Sequence, residues 1–203
     1  MRASTVWLWP MLLLVAGCTA ALPTLPTLPL GGTTDPNAVM IGPGQRLNLP
    51  RPADLGRSIL ATQLITARAY GQTFVMEVNI SVTPDRATVV GLDPMGRRAM
   101  TISWNEQNVS AETAPWVPET LRPGSMLADI ILIYWPETAA RRALPAGGEV
   151  LQEPHGRTIR INGQDVLRIE HSWIAGARWN GTLRYSNLAW GYEIDVQSSE
   201  LRR

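Results

Sequence analysis

Few residues in this chain have side chains that could do chemistry. There is one cysteine, Cys18, and there are two histidines, His155 and His171, in separate strand-like stretches, so the several ligands of a zinc site are not supplied. By alternation His171 lies on an apolar face between Ile169 and Trp173, where we expect a hydrogen-bonded core residue. The chain has neither a G-x-S-x-G elbow nor a glycine-rich phosphate loop that opens a helix. We therefore predict no catalytic residue, no metal site and no cofactor, and a protein that is not an enzyme.

The first 17 residues have the layout of a secretory signal peptide. Arg2 supplies one positive charge, an apolar run follows over residues 6–15, and small residues come next. This order is typical of a leader that is removed. The apolar run is half of the about 20 residues that a membrane-spanning helix needs. We therefore predict a signal peptide over residues 1–17 rather than a transmembrane anchor.

Cys18 stands directly at the predicted cleavage site. The stretch Leu14–Cys18 resembles the bacterial lipobox, in which the cysteine thiol is acylated before the leader is removed. The resemblance implies that Cys18 begins the mature chain and carries acyl chains such as palmitate. Two or more acyl chains attach a protein stably to a membrane. Thr19 follows instead of an aspartate, which implies the outer membrane, with the domain facing the periplasm.

A proline-rich segment follows Cys18. Residues 19–56 contain seven prolines and five glycines, and residues 22–30 place proline at every third position. Such a stretch favours extended polyproline II, as a spacer or as a ligand for a proline-binding domain. We predict that residues 18–56 are a lipidated N-terminus and tether, although Leu47 and Leu49 could pack back, and that the folded domain covers residues 57–203.

The charge balance excludes one class of partner. The chain has 18 basic side chains, all of them arginine, against 17 acidic ones, and its formal net charge is +1. A chain of this kind has no electrostatic field that would hold a polyanion. We therefore expect no nucleic-acid partner.

Alternating apolar and polar residues predict a domain that is mainly β. In residues 73–82 the alternation is broken only at Val75, and this is the period of a half-buried strand. Short turns and one polar face favour antiparallel pairing. The predicted strands form two blocks: residues 62–70, 74–82, 87–92, 100–104 and 109–113, then residues 149–153, 157–161, 166–173, 181–186 and 190–196.

The segment between the two blocks has a different period. Residues 126–135 are almost wholly apolar, and Asp129 is their only charge. Apolar side chains recur at i, i+3, i+4 and i+7 from Leu127, which favours a helix over the buried strand that the isoleucines would also suit. Gly124-Ser125 is the predicted cap, and residues 137–144 are predicted to form a second short helix.

Several short motifs follow one another in a fixed order through the domain. They are Leu127-Ala128-Asp129, Tyr134-Trp135-Pro136, Arg157-Thr158-Ile159, Asn162-Gly163, Trp179-Asn180-Gly181-Thr182, Asn187 and Gly191-Tyr192-Glu193-Ile194. Over residues 57–197 the chain resembles a family of uncharacterised bacterial outer-membrane lipoproteins associated with aryl-polyene and fatty-acid biosynthesis gene clusters, which have a LolA/LolB-like fold. The resemblance implies an α+β domain, mainly β with a small helical lid, in which a curved antiparallel half-barrel sheet encloses a lipid cavity.

Inward-facing strand residues and the apolar helix supply the candidates for that cavity, although the same side chains could simply fill a closed core. In the lipoprotein receptor of this fold a protruding loop exposes a leucine to the membrane, and here the turn at residues 93–96 offers Met95 at a comparable place. The cavity candidates are Phe74, Met76, Val78, Met100, Ile102, Trp104, Leu127, Ile130, Ile131, Tyr134, Ile169, His171, Trp173, Tyr185 and Tyr192.

These expectations combine into one functional hypothesis. We expect an outer-membrane lipoprotein that binds, receives or helps insert a lipidic molecule, namely an acyl or polyene-type lipid or a lipoprotein. Its expected partners are the membrane, through acylated Cys18, a hydrophobic lipid ligand, and a lipid-carrier or biosynthetic protein. The main alternative is a scaffold or assembly lipoprotein that binds a protein and no lipid, and a hydrolase acting on lipid or peptidoglycan ranks third.

Overall fold

The computed structural model describes residues 28–29, 37–173 and 177–201 of the chain. Most of them belong to β-strands, and two short helices lie between the strands in sequence. The elements are β1 (Leu28–Pro29), β2 (Ala38–Gly42), β3 (Gln45–Asn48), β4 (Ile59–Ala69), β5 (Gln72–Val82), β6 (Arg86–Leu92), β7 (Arg98–Asn105), β8 (Val109–Thr113), α1 (Pro123–Tyr134), α2 (Glu137–Ala143), β9 (Gly148–Glu153), β10 (Gly156–Ile161), β11 (Gln164–His171), β12 (Gly181–Asn187) and β13 (Tyr192–Glu200).

Eleven of these strands form one antiparallel sheet. Their order is β1-β8-β7-β6-β5-β4-β13-β12-β11-β10-β9, so β1 and β9 are the two edges and the sheet is not closed into a barrel. The last strand, β13, pairs with β4 on one side and β12 on the other, and it thereby joins the two blocks that the helices separate in sequence. The prediction of a mainly β fold with antiparallel strands and two short helices is confirmed.

The alternation in β5 shows why the strands form where they were predicted. Val78, Ile80 and Val82 are buried on the inner face, while Val75, the residue that breaks the pattern, points outward and is 43% exposed. Side chains on a strand alternate between its two faces, so one apolar row covers the core. The inner row of β5 packs in the same core as α1 and the second block.

Several predicted strand ends differ from the structure by two or more residues. β4 begins at Ile59, upstream of the predicted start. β11 ends at His171, so Trp173 lies beyond it, and β13 begins at Tyr192. The Asn187 side-chain oxygen accepts a hydrogen bond from the Trp190 backbone N–H at 2.8 Å, so Trp190 belongs to the turn before β13. The turn predicted at residues 175–176 lies outside the described residues.

Helix α1 begins earlier than its predicted cap. Pro123 occupies the first turn and Arg122 is the extended residue ahead of it, because proline has the φ that a first helical turn needs and no N–H to leave unpaired. The cap predicted at Gly124-Ser125 is therefore wrong. Ser125 lies inside the helix and its hydroxyl donates to the Met40 carbonyl oxygen at 3.0 Å.

The helical interpretation of the apolar segment is confirmed. All residues of 125–134 except Met126 are buried, so α1 is covered on nearly every side. It ends before Pro136, which drives the preceding Trp135 into an extended conformation. Neither helix of the described residues is long and apolar enough to cross a bilayer.

The folded region extends upstream of the predicted boundary at Arg57. β2 and β3 form a hairpin in which Val39 pairs with Leu47, and both side chains are buried together with Ile41. The hairpin packs on α1 through the Ser125–Met40 hydrogen bond. Residues 37–56 of the predicted tether therefore belong to the folded region, and Leu47 packs back on the domain, as the alternative interpretation allowed. The remaining part of the predicted tether, apart from the two residues of β1, lies outside the described residues.

Candidate functional site

An apolar cleft of about 110 Å³ lies between α1 and the sheet. Inward side chains of β4, β5 and β13 form its sheet side, and the first turns of α1 with residues 120–122 form its helix side. We call this space the apolar cleft. The apolar side chains that line it include Ile65, Phe74, Met76, Leu121, Met126 and Ile194.

Two alanines on β4 explain why there is space at this place. Ala67 stands opposite Phe74 on β5 and Ile194 on β13, and Ala69 stands opposite Tyr192. These positions belong to the inner row of β4, because side chains two residues apart share a face. Small side chains in this row leave the helix and sheet apart where larger ones would fill the gap.

The wall of the cleft beside β6 depends on a glycine. A Cβ atom at Gly91 would lie 2.7 Å from the sulfur of Met76 and 3.1 Å from the terminal carbon of Met100. The side chain of Met76 therefore occupies the space that any side chain at position 91 would need. Since methionine is flexible and polarizable, this wall can adapt to an apolar occupant.

Asp129 is the buried carboxyl group at the inner end of the cleft. It is 3% exposed and accepts hydrogen bonds from two tyrosine hydroxyls, those of Tyr185 and Tyr192, the latter at 2.5 Å. The side-chain nitrogen of Asn187 lies 3.3 Å and 3.2 Å from the same two hydroxyl oxygens and 3.2 Å from the Ile41 carbonyl oxygen. The network therefore ties α1, β12, β13 and the hairpin together.

Burial decides the charge of this network. It raises the pKa of Asp129 from 3.8 to about 7, against the opposing effect of the two tyrosine hydrogen bonds. Burial also raises the pKa values of Tyr185 and Tyr192, so both hydroxyls stay protonated at neutral pH. The inner end of the cleft thus offers hydroxyl and carboxyl groups for hydrogen bonding. Asp129 takes up a proton and becomes neutral when the pH falls below about 7.

The mouth of the cleft lies at an end of the sheet that exposes apolar side chains. Tyr70 in the β4–β5 turn is 67% exposed, and Met95 in the β6–β7 turn is 80% exposed. Trp116 after β8 and Leu188 after β12 are exposed at the same end. We call these four residues the apolar rim. Tyr70 also lines the cleft, so the rim meets the mouth of the cleft at this residue.

Arginines accompany the aromatic side chains around this end. The guanidinium of Arg122 lies 3.8 Å from the centre of the Trp190 ring, and both residues line the cleft. Arg97 lies 4.7 Å from the centre of the Trp116 ring. These are cation–π distances. Arg97 is also paired with the Asp93 carboxylate at 2.7 Å, so Arg122 is the arginine that brings an uncompensated positive charge to the mouth within the described residues.

The structure separates the fifteen predicted cavity residues into three groups. Phe74, Met76 and Tyr192 line the apolar cleft. Ile169, His171 and Trp173 line a different cavity, near the C-terminal end of α1. The other nine are buried in the packed core, as the closed-core alternative describes: Val78, Met100, Ile102, Trp104, Leu127, Ile130, Ile131, Tyr134 and Tyr185.

His171 differs from its expected role as a hydrogen-bonded core residue. Its ring is partly exposed and stacks on Trp173 with centroids 3.8 Å apart. Its Nδ1 atom is buried and has no hydrogen-bond partner in the described part of the chain. Cys18 and the signal peptide lie outside the described residues, so their predicted roles are not tested by the structure.

Sequence reasoning did not identify Asp129 as a site residue. Its partners Tyr185 and Tyr192 lie 56 and 63 residues away in the chain, so no local spacing reveals the network. The available signal was a lone carboxylate inside an apolar helix, because such a group needs buried hydrogen-bond partners. No cluster of three metal-ligating side chains occurs among the described residues.

Comparison with known proteins gives a family and no named relative. No curated protein matches the chain. A family model described as "Protein of unknown function (DUF3261)" matches residues 60–200, which begin in β4 and end in β13 and so include the cleft, both helices and both blocks of strands. Because this match covers more than half of the chain, the chain belongs to the DUF3261 family.

Proposed function

We propose that this protein is an outer-membrane lipoprotein, anchored through acylated Cys18, that binds, receives or helps insert a lipidic molecule in the periplasm. In this proposal the domain is a LolA/LolB-like half-barrel, the helices are its lid, and the protein acts by binding rather than by catalysis. The ligand is an acyl or polyene-type lipid, and the aryl-polyene association of the resembling family motivates the second class. A lipid-carrier or biosynthetic protein would deliver or take up the ligand.

One observation carries the proposal: the apolar cleft opens at the apolar rim. An exposed apolar patch that leads into an apolar interior gives an acyl chain a continuous path out of water. Met95 and Trp116 with its arginine suit the membrane surface, where amphipathic aromatic and cationic side chains concentrate. The rim is therefore the surface that we assign to the membrane, with Met95 at its tip.

The direction of β1 supports the same orientation. Leu28 pairs with Ala111 and Pro29 with Ser110, so β1 runs away from the rim while β8 runs towards it. The chain thus enters β1 from the rim side. Leu28 lies ten positions after Cys18 (28 − 18), and an extended chain of that length spans at most about 36 Å. A lipid anchor at Cys18 would hold the mouth of the cleft near the bilayer.

The size of the cleft limits what it holds without adjustment. Its 110 Å³ is less than the roughly 300–1,000 Å³ of typical small-molecule sites. A longer acyl chain would have to displace Met76 and Met126 or run outward along the rim. Each methylene that leaves water contributes about 0.8 kcal/mol, so even a partly inserted chain gains several kcal/mol.

The test compares two single substitutions that add the same aromatic ring on opposite faces of the sheet. Ala67→Phe fills the cleft from β4, whereas Val75→Phe adds a ring to the outer face of β5. The full chain is produced in a Gram-negative host, purified from membranes in detergent and analysed by native mass spectrometry with solvent extraction. We expect near-stoichiometric lipid, beyond the anchor, in the wild type and in Val75→Phe, and loss of most of it in Ala67→Phe.

The scaffold alternative makes a different prediction for the same samples. A scaffold would copurify with a protein, carry no lipid beyond its anchor and be indifferent to Ala67→Phe. That result, obtained with folded protein, would overturn the lipid-binding proposal. Full-length chain is required because the hairpin of β2 and β3 contributes Val39, Ile41 and Leu47 to the core, so a fragment starting at Arg57 would lack part of it.

A further inference from the structure

A second cavity, distinct from the apolar cleft, lies beside the C-terminal end of α1. It has a volume of about 200 Å³ and is bordered by Ile133 of α1, Gln152 and Arg157 of the β9–β10 hairpin, and His171, Trp173 and Arg178 near the end of β11. We call it the basic cavity. Its ionisable lining groups are two arginines and one histidine, and no carboxylate lines it within the described residues.

Arg157 is the buried charge of this cavity. It is 4% exposed, and its Nη1 donates to the carbonyl oxygens of Leu132 at 2.7 Å and Trp135 at 3.1 Å. Its Nε donates to the Gln152 side-chain oxygen at 2.9 Å. These partners are neutral, and they leave the second terminal nitrogen, Nη2, without a hydrogen-bond partner in the described part of the chain.

The other lining groups reinforce the positive charge. Arg178 forms no ion pair with any described carboxylate. Burial, followed by the positive charge of Arg178, lowers the pKa of Arg157 from 12.5 to about 10. Burial, followed by the charges of His155, Arg178 and Arg157, lowers the pKa of His171. Glu137 is the one described carboxylate whose charge raises the pKa of Arg157, and it forms an ion pair with Arg141.

A buried arginine normally has an anionic partner, because an unpaired charge out of water is costly. Here the helix C-terminus supplies only partial negative charge. Only the N–H groups of Arg157 Nη2 remain without a partner in the described part of the chain, and Arg157 lines a space large enough for several atoms. Guanidinium groups bind planar carboxylates and phosphates through paired hydrogen bonds, and charge-assisted bonds of this type are stronger than neutral ones.

We propose that the basic cavity binds an oxyanion, a phosphate or carboxylate group, between Arg157 Nη2 and the Arg178 guanidinium, with His171 beside it. The anion belongs either to a small soluble molecule or to the headgroup of an anionic lipid. The inference stands apart from the lipid-binding proposal, since the two sites share no lining residue. The ring of Trp173, stacked on His171, forms an apolar wall for whatever carries the anionic group.

The chain has only two histidines, so proton NMR of the detergent-solubilised full-length protein can follow both imidazoles, and His155→Gln assigns them. Inorganic phosphate is the first probe. A bound anion favours the imidazolium, so we expect the pKa of His171 to rise by about half a pH unit at saturation. Arg178→Gln removes one binding group and keeps the fold, and we expect phosphate to bind about tenfold more weakly to it.

Arg168→Gln is the matched control, because Arg168 is exposed on the same strand, β11, and pairs with Asp165 outside the cavity. Phosphate should act on this variant as on the wild type. No change of His171 in the wild type at tens of millimolar phosphate, acetate or phosphatidic acid would overturn the proposal. An equal response in Arg178→Gln would also overturn it, because the anion would then bind elsewhere.

A second probe identifies the source of the anion. Phosphatidic acid in the detergent micelles is compared with inorganic phosphate, and phosphatidylcholine serves as the neutral control. A response to phosphatidic acid at a concentration at least about a hundredfold lower assigns the cavity to a lipid headgroup. Equal concentrations assign it to a soluble anion, and both results support the site.

Discussion

Asp129 and Arg157 are both almost completely buried, and neither pairs with an opposite charge in the described part of the chain. Asp129 lies by the apolar cleft and is held by two tyrosine hydroxyls. Arg157 lies by the basic cavity and is held by two backbone carbonyls at the end of α1. Helix α1 therefore carries a buried acid, Asp129, and contacts a buried base, Arg157, at its C-terminal end.

The comparison shows two ways in which a fold accommodates a buried ionisable group. A carboxyl can lose its charge by taking up a proton, and burial places the pKa of Asp129 at about 7, where this happens easily. A guanidinium cannot, because even with its pKa lowered to about 10 by burial Arg157 stays charged at neutral pH. The apolar cleft can thus become electrically neutral, while the basic cavity keeps a charge that an anion would complete.

The largest effect is expected from removing the base. Arg157→Ala leaves the carbonyl oxygens of Leu132 and Trp135 buried without a donor, and each unsatisfied buried group costs about 1–3 kcal/mol. With the lost packing of the side-chain stem, we expect the free energy of unfolding to fall by about 4 kcal/mol. Urea unfolding followed by tryptophan fluorescence measures it.

Arg160→Ala on the same strand is the control for that loss. Arg160 is partly exposed and pairs with Asp165, and exposed ion pairs contribute about 0–1 kcal/mol. A similarly small loss of unfolding free energy in both variants would show that water hydrogen-bonds the carbonyls of Leu132 and Trp135 when Arg157 is removed. The buried arginine would then not be needed for stability.

The next effect concerns the acid and depends on pH. The folded pKa of Asp129 is raised from 3.8 to about 7, so between these values the folded state binds a proton that the unfolded state has released. Stability therefore falls as pH rises through this window, by about 1.4 kcal/mol per pH unit for this group. Asp129→Asn resembles the protonated carboxyl and has no such dependence. From pH 5 to 7 we expect the wild type to lose roughly 2–3 kcal/mol relative to the variant.

Taking the difference between the two proteins isolates Asp129. The lowered pKa of His171 has the opposite effect in an overlapping window, since stability from that group rises with pH up to its unfolded value of 6.5, but it is common to both proteins. The lowered pKa values of Asp165 and Asp195 act below 3.8, outside the window. Parallel pH profiles for wild type and Asp129→Asn would mean that the carboxyl is ionised in the folded protein across this pH range and that burial does not neutralise it.

The strands were predictable because their signal is local. A period of two over residues 74–82 is a property of neighbouring residues, and the structure adds only the register. The same reasoning missed β2 and β3 because the hairpin is short and lies in a segment dominated by proline and glycine. Its apolar residues Val39, Ile41 and Leu47 bury themselves against α1, a contact about 85 residues away in the chain.

The sequence marks the candidate sites only by charged residues in otherwise apolar stretches. Asp129 was visible as a single charge in an apolar helix. Arg157 shares a face with Ile159 and Ile161 by alternation, which places a charge inward. Neither signal names a partner, because the partners come from elements that are distant in sequence. The space itself depends on the small residues Ala67 and Gly91 facing larger ones across strands, and only the register brings them together.

The smallest effect separates the cleft from the cavity. A methyl group at Gly91 would meet the sulfur of Met76 at 2.7 Å, and because this side chain is flexible we expect a stability loss of about 1 kcal/mol. Met76 would turn into the apolar cleft, and copurified lipid should fall severalfold in native mass spectra. The response of His171 to phosphate should not change in Gly91→Ala, and lipid content should not change in Arg178→Gln. If either substitution altered both readouts, α1 would couple the two sites, and the neutral and charged ends of the helix would have to be treated as one binding surface.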